Sequence, residues 1–88
     1  MAAPFSVIFS PTAAEELRKL PLEIQERVKK KLHDAQEYPF HYFERLTGRC
    51  DYKCRVGDYR VIADLNKTEQ RIEVTTVGHR KNIYDQRN

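Results

Sequence analysis

Lys53, Arg55 and Arg60 stand around a Gly57-Asp58 pair that separates two alternating apolar runs. Gly-Asp between such runs is a signal for a two-residue β-hairpin turn. In that turn Val56 opposes Tyr59, Arg55 opposes Arg60, and Cys54 opposes Val61. Alternation then sends Tyr52, Cys54, Val56, Tyr59, Val61, Ala63 and Leu65 to one face, and Lys53, Arg55, Arg60 and Ile62 to the other. The first face is a core. The second gathers three cations, two of them directly opposed, an arrangement that destabilises a sheet. Only Asp51 and Asp64, at the far ends of the strands, offset them there. Arginine presents paired donors and lysine a compact charge, so a phosphate is the guest such a face fits. The bland reading of the same residues is that the side chains splay into water, or that Glu44 or Glu73 sits between them.

Charge is distributed to match. Residues 1–48 hold seven Lys/Arg and seven Asp/Glu, whereas residues 49–88 hold nine and six, which is the whole net charge of +3. A basic half on a neutral half fits a local anion-binding surface as well as a solvated basic face. Lys29, Lys30 and Lys31 read as a solvated helix face, with contact to RNA as the functional alternative. His33, His41 and Tyr42 read as structural or exposed. Cys50 and Cys54 would lie about 13 Å apart on a strand, too far for a disulfide. No CxxC or HxxxH spacing offers a zinc site, so neither a metal nor a cofactor is expected. Cys54 reads as a small apolar core residue.

The elements that position the cations follow from periodicity. Phe5–Phe9 alternates as a strand, with Phe5, Val7 and Phe9 on one side. Either Ser10 before Pro11 or a Thr12-to-Glu15 capping box starts a helix that buries Ala13, Leu17 and Leu20. Pro21 breaks it, and a second helix carries Ile24, Val28, Leu32 and Ala35 on one stripe, completing a helical hairpin. Pro39 ends the helical region, and Tyr38–Phe43 reads as an aromatic loop packed on the sheet. Beyond Leu65, the run 66–70 is a polar connection and Arg71–Val77 alternates as a last strand that Gly78 closes. His79 to Asn88 reads as a frayed helical turn. The expectation is an α+β fold: strand, helical hairpin, then an antiparallel meander with helices on one face. A chain of this length is read as one domain over residues 1–88. It shows neither an apolar run of membrane-spanning length nor a secretory leader, so a cytoplasmic location is expected.

The run Tyr52-Lys-Cys-Arg-Val-Gly-Asp-Tyr-Arg-Val-Ile62, followed by Val77-Gly-His-Arg-Lys-Asn-Ile-Tyr84, resembles the RelE branch of the RelE/ParE toxin superfamily. The strand leading into a helical hairpin matches as well, so the likeness covers nearly the whole chain as a single RelE-like domain. It implies a type II toxin–antitoxin toxin that cuts mRNA in the ribosomal A site, the ribose 2′-hydroxyl attacking the adjacent phosphate. Lys53 and Arg55 would then help remove the hydroxyl proton or neutralise the phosphate. Arg60 would hold the scissile phosphate and Arg80 assist the leaving oxygen, with Tyr84 stacking on a base. The resemblance also implies a RelB-like antitoxin, docked in the apolar groove between the helices and the sheet, with the ribosome and mRNA as the other partners.

Convergent cations suit a phosphorane better than a ground-state diester, which is how such a site accelerates cleavage. An evident general base is missing. Histidine is the usual type for that role, but His79 alternates away from Arg80, and Lys53 beside two guanidinium groups is the other source. Two rival functions share the fold or the charges. One is a ParE-like inhibitor that binds DNA gyrase without nuclease activity; the other is a module that binds RNA without cutting it.

Overall fold

The computed structural model describes residues 4–46 and 51–81. Strand β1 (Ser6–Phe9) is followed by α1 (Pro11–Arg18), α2 (Leu22–Ala35) and a short α3 (Pro39–Tyr42). Strands β2 (Glu44–Arg45), β3 (Tyr52–Val56), β4 (Tyr59–Asn66) and β5 (Arg71–His79) complete the chain order. The five strands form one sheet in the order β1-β5-β4-β3-β2, which is the expected α+β arrangement. Every neighbouring pair is antiparallel except β1 and β5, which run parallel with Ser6 beside Arg71 and Phe9 beside Val74.

Local chemistry explains the helix boundaries. Of the two possible starts for α1, Ser10 is the cap: its hydroxyl accepts from Ala13 N at 3.0 Å, and Pro11 takes the first helical position. The helix stops at Arg18, so Leu20 falls in the connection rather than in the helix. Gln25 Nε2 donates to Leu20 O at 2.8 Å and ties that connection to the start of α2. Pro39 does not end the helical region; it opens α3, because proline's fixed φ suits a helix start where no N–H is needed. Tyr38–Phe43 is therefore largely a helical turn, with Phe43 buried and Tyr38 and Phe40 exposed.

One core joins Ala13, Leu17, Val28, Leu32 and Ala35 of the helices to Cys54, Val56, Val61, Ala63, Leu65, Ile72, Val74 and Val77 of the sheet. Phe5, Val7, Phe9, Leu20, Ile24, Tyr42 and Tyr52 pack at its margin. Leu46 and Ile62 are buried as well, though neither belongs to that core. Ile62 was expected on the open polar face; it lies on that side of the sheet but is covered.

Strand β5 departs from simple alternation. Val61 pairs with Val77 and Ile62 with Thr76, yet Ala63 pairs with Val74, so β5 carries an extra residue, Thr75, at a bulge. Glu16 of α1 secures it: its Oε1 accepts from Val77 N at 2.9 Å across 61 residues of sequence. Through this one-residue slip, both Val74 and Val77 face the core. Gly78 does not close the strand, which runs on to His79 with Gly78 beside Arg60. The helical turn expected at the C-terminus lies outside the described residues beyond Lys81. Among the described residues no helix is long and apolar enough to cross a membrane.

Candidate functional site

The β3–β4 hairpin has the register that its sequence requires, with Val56 beside Tyr59, Arg55 beside Arg60 and Cys54 beside Val61. Gly57 adopts φ +60°, the left-handed conformation for which glycine is the default, and turns the chain between the strands. Past the turn, Arg80 N donates to Asp58 O at 2.9 Å, which ties the end of β5 to the hairpin tip. Because of the bulge, the residue beside Arg60 is Gly78, so Arg80 leaves β5 on the Arg60 side of the sheet. Plain alternation from Ile72 and Val74 would have sent it to the core side.

Three guanidinium groups meet there. The pKa of Arg60 is lowered from its ordinary value, first by burial and then by the like charges of Arg55 and Arg80. Its Nε is buried, whereas Arg55 and Arg80 are exposed. Gly78 contributes no side chain beside Arg60. Lys53 is half-buried on the same face, one strand repeat from Arg55, and stands opposite Glu44 of β2. The acid considered from sequence as a neutraliser is thus in register with Lys53, not with Arg60. Glu73, the other such acid, is held by Arg71 Nε at 2.9 Å and stands opposite Asp64. The face is therefore polarised, basic at the hairpin tip and acidic at the opposite end.

Of the five residues singled out from sequence, Arg55, Arg60 and Arg80 come together and Lys53 borders them. Tyr84 lies outside the described residues, as does Cys50. His79 points away from the cations; its ring stacks edge-on against Tyr59 at 5.2 Å. Cys54 is free and buried, and burial raises its thiol pKa against the opposing charge of Lys31. No group of His, Cys, Asp and Glu among the described residues is arranged to hold a metal ion. Glu16 was missed from sequence, as was β2, the two-residue strand that carries Glu44. Nothing local marks Glu16, and a strand of two residues has no legible periodicity.

Two of the concavities beside α2 bear on function. A groove of about 340 Å³ between β1 and α2 is lined by Val7, Phe9, Leu32, Lys29, His33 and Gln36. A cleft of about 270 Å³ lies between α2 and the β3–β4 turn, with Arg27, Lys30, Lys31 and Asp34 on one side and Arg55, Val56 and Gly57 on the other.

Residues 7–84 match the family described as ParE toxin of type II toxin-antitoxin system, parDE. No curated protein is a significant sequence match. Among solved structures, the chain is similar to a chain of the RelBE2 toxin–antitoxin complex from Mycobacterium tuberculosis, at 25% identity and TM-score 0.79 over 88% of this chain and 99% of that one. It is also similar to a chain of the intact Escherichia coli RelBE complex, at 30% identity and TM-score 0.76 over 88% and 96%. A YoeB/ParE toxin from Agrobacterium tumefaciens shares the fold at 15% identity, with TM-score 0.72 over 85% and 98%.

Proposed function

The chain belongs to the ParE toxin family of type II toxin–antitoxin systems, within the RelE/ParE superfamily, and we propose that it acts as a ribosome-dependent endoribonuclease. The observation that carries this reading is the convergence of Arg55 and Arg80 on Arg60 beside the side-chain-free Gly78. Directly opposed like charges on a sheet are a cost. The cost is recovered when a phosphodiester enters and is attacked by its neighbouring 2′-hydroxyl, because negative charge then grows between the guanidinium groups. In this scheme Arg60 holds the non-bridging oxygens and Arg80, more exposed, faces the leaving 5′-oxygen. Lys53 and Arg55 lie on the side of the attacking hydroxyl, and Tyr84 stacks on a base. The attack breaks the P–O5′ bond and leaves a 2′,3′-cyclic phosphate, with no metal-bound water in the reaction.

The partner is a RelB-like antitoxin. The groove of Val7, Phe9 and Leu32 between β1 and α2 suits the apolar face of an extended helical segment, with Lys29 and His33 as polar rim. The second reading is the ParE-like one, supported by the description of the matching family: a gyrase-binding inhibitor that cuts nothing. Such an inhibitor has no need of convergent phosphate-binding arginines. Single-turnover incubation with mRNA-programmed ribosomes in EDTA, beside a gyrase supercoiling assay, separates the two. Cuts ending in a cyclic phosphate or its 3′-phosphate product support the nuclease. Intact mRNA with blocked supercoiling overturns it.

A further inference from the structure

The cleft between α2 and the hairpin turn lies outside the cluster at Arg60, and it is built for charge of one sign. Four cations line it, Arg27, Lys30, Lys31 and Arg55, against the single carboxylate of Asp34. That carboxylate approaches Lys30 Nζ at 3.6 Å, and both side chains are well exposed, so the pair is weak. Gly57 shapes the opposite wall: a Cβ there would stand 3.2 Å from an Arg27 terminal nitrogen, so the guanidinium lies directly on the turn. Lys31 is half-buried, with its ammonium 5.8 Å from the Tyr42 ring centre and near enough to Cys54 to act on the thiol. At about 270 Å³ the space is smaller than the roughly 300–1,000 Å³ of pockets for drug-sized molecules. Its lining has few acceptors and many donors, which fits a compact anion.

Arg55 belongs to both places: it neighbours Arg60 on the sheet face and lines the cleft around the end of β3. We propose that this cleft binds a second RNA phosphodiester, separate from the one at Arg60, so that a backbone passing over the hairpin tip is held at two phosphates. The identity of the ligand as RNA rests on the function proposed above, and continuity through Arg55 favours it over an acidic peptide. The strand supplying the phosphate is either mRNA or ribosomal RNA.

The test uses the whole chain, with Lys30→Gln, Arg27→Gln and, as a control of equal charge change near Phe40, Lys67→Gln. Binding is titrated against salt with two probes: an RNA oligonucleotide made uncleavable by 2′-deoxy substitution, and vacant ribosomes. Each cleft variant should flatten the log–log salt slope by about 0.7 for a single strand. That corresponds to about fivefold weaker binding at 0.1 M salt relative to 1 M. Lys67→Gln should leave both unchanged. Loss with both probes supports the cleft; loss with one alone supports it and identifies the strand. Unchanged slopes with both overturn it, even if an antitoxin-derived acidic peptide binds the variants less tightly. Lys30, largely solvated, is replaceable without harm to the fold, so Lys30→Gln alone decides should Arg27→Gln unfold. Because binding is read without cleavage, a chain that cuts nothing but shows these slopes refutes the nuclease and retains the cleft.

Discussion

Arg60→Gln separates a residue kept for chemistry from one kept for structure, because the two roles predict opposite signs. Glutamine retains much of the stem but removes the charge. Arg60 pairs directly with Arg55 across the hairpin and is pressed by Arg80 as well, while burial further disfavours its cation. A like-charge pair directly opposed on a sheet is destabilising, on the scale of the roughly 0.2–1 kcal/mol that a favourable cross-strand pair contributes. The lowered pKa says that the folded chain tolerates this charge less well than the unfolded chain does. Arginine stays protonated throughout the usable pH range, so the cost is present at every working pH. The variant is therefore expected to unfold at an equal or higher denaturant concentration, gaining up to about 1 kcal/mol. Its single-turnover cleavage of ribosome-bound mRNA should fall by about a hundredfold to a thousandfold, the loss typical of one preorganised donor to developing charge. Ribosome binding should change far less. A variant that cuts at the parental rate refutes the mechanism. One that loses activity only in proportion to lost stability makes Arg60 a structural residue and refutes the reasoning from opposed charges.

Three other expectations can be checked on the folded chain alone. Val61 is fully buried, so Val61→Asp strands an unpaired carboxylate at a cost of several kcal/mol, on the order of the whole stability of a small domain; a cooperative thermal transition near that of the parent would contradict the assigned face. Glu16→Ala removes a charge-assisted acceptor from Val77 N and should cost about 1.5–3 kcal/mol in denaturant unfolding, with Glu16→Gln costing less because it keeps an acceptor; no loss in either would mean that the bulge holds itself. In a Cys50→Ser background, the raised pKa of Cys54 means that the folded chain holds its proton longer than the unfolded one. Stability should be complete below the ordinary thiol range of about 8–9 and decline above it, an increment absent in Cys54→Ala; identical pH profiles would rule this out.

The hairpin was legible in the sequence because turn chemistry and strict alternation agree over Tyr52–Leu65, which specifies pairing and face together. From alternation and turn chemistry alone the cationic face was legible only as far as that hairpin reaches; Arg80 and Tyr84 entered through the family resemblance. Arg80 joins the cluster through a bulge whose extra residue, Thr75, is β-branched and fits either phase of a strand, and whose anchor is an acid in a distant helix. The parallel pairing of β1 with β5 is equally silent, since edge and centre are set by the crossover and not by composition. Where local signals competed, as at Ser10 against Thr12 or at Pro39, side-chain capping and proline's fixed φ decided the outcome, and both follow rules for helix starts.

The strand order has a consequence in time. Translation delivers β1 first and β5 last, yet β5 lies between β1 and β4 and receives the carboxylate of Glu16. Until Arg71–His79 has been made, β1 has no neighbour in the sheet and β4 has a bare edge. No shorter nascent piece can close the core or bring a third arginine to the hairpin tip. Contacts between residues this far apart in sequence form slowly, because the loop must be ordered before they contribute. A growing chain of this topology therefore lacks the three-arginine cluster until β5 and Arg80 have been made.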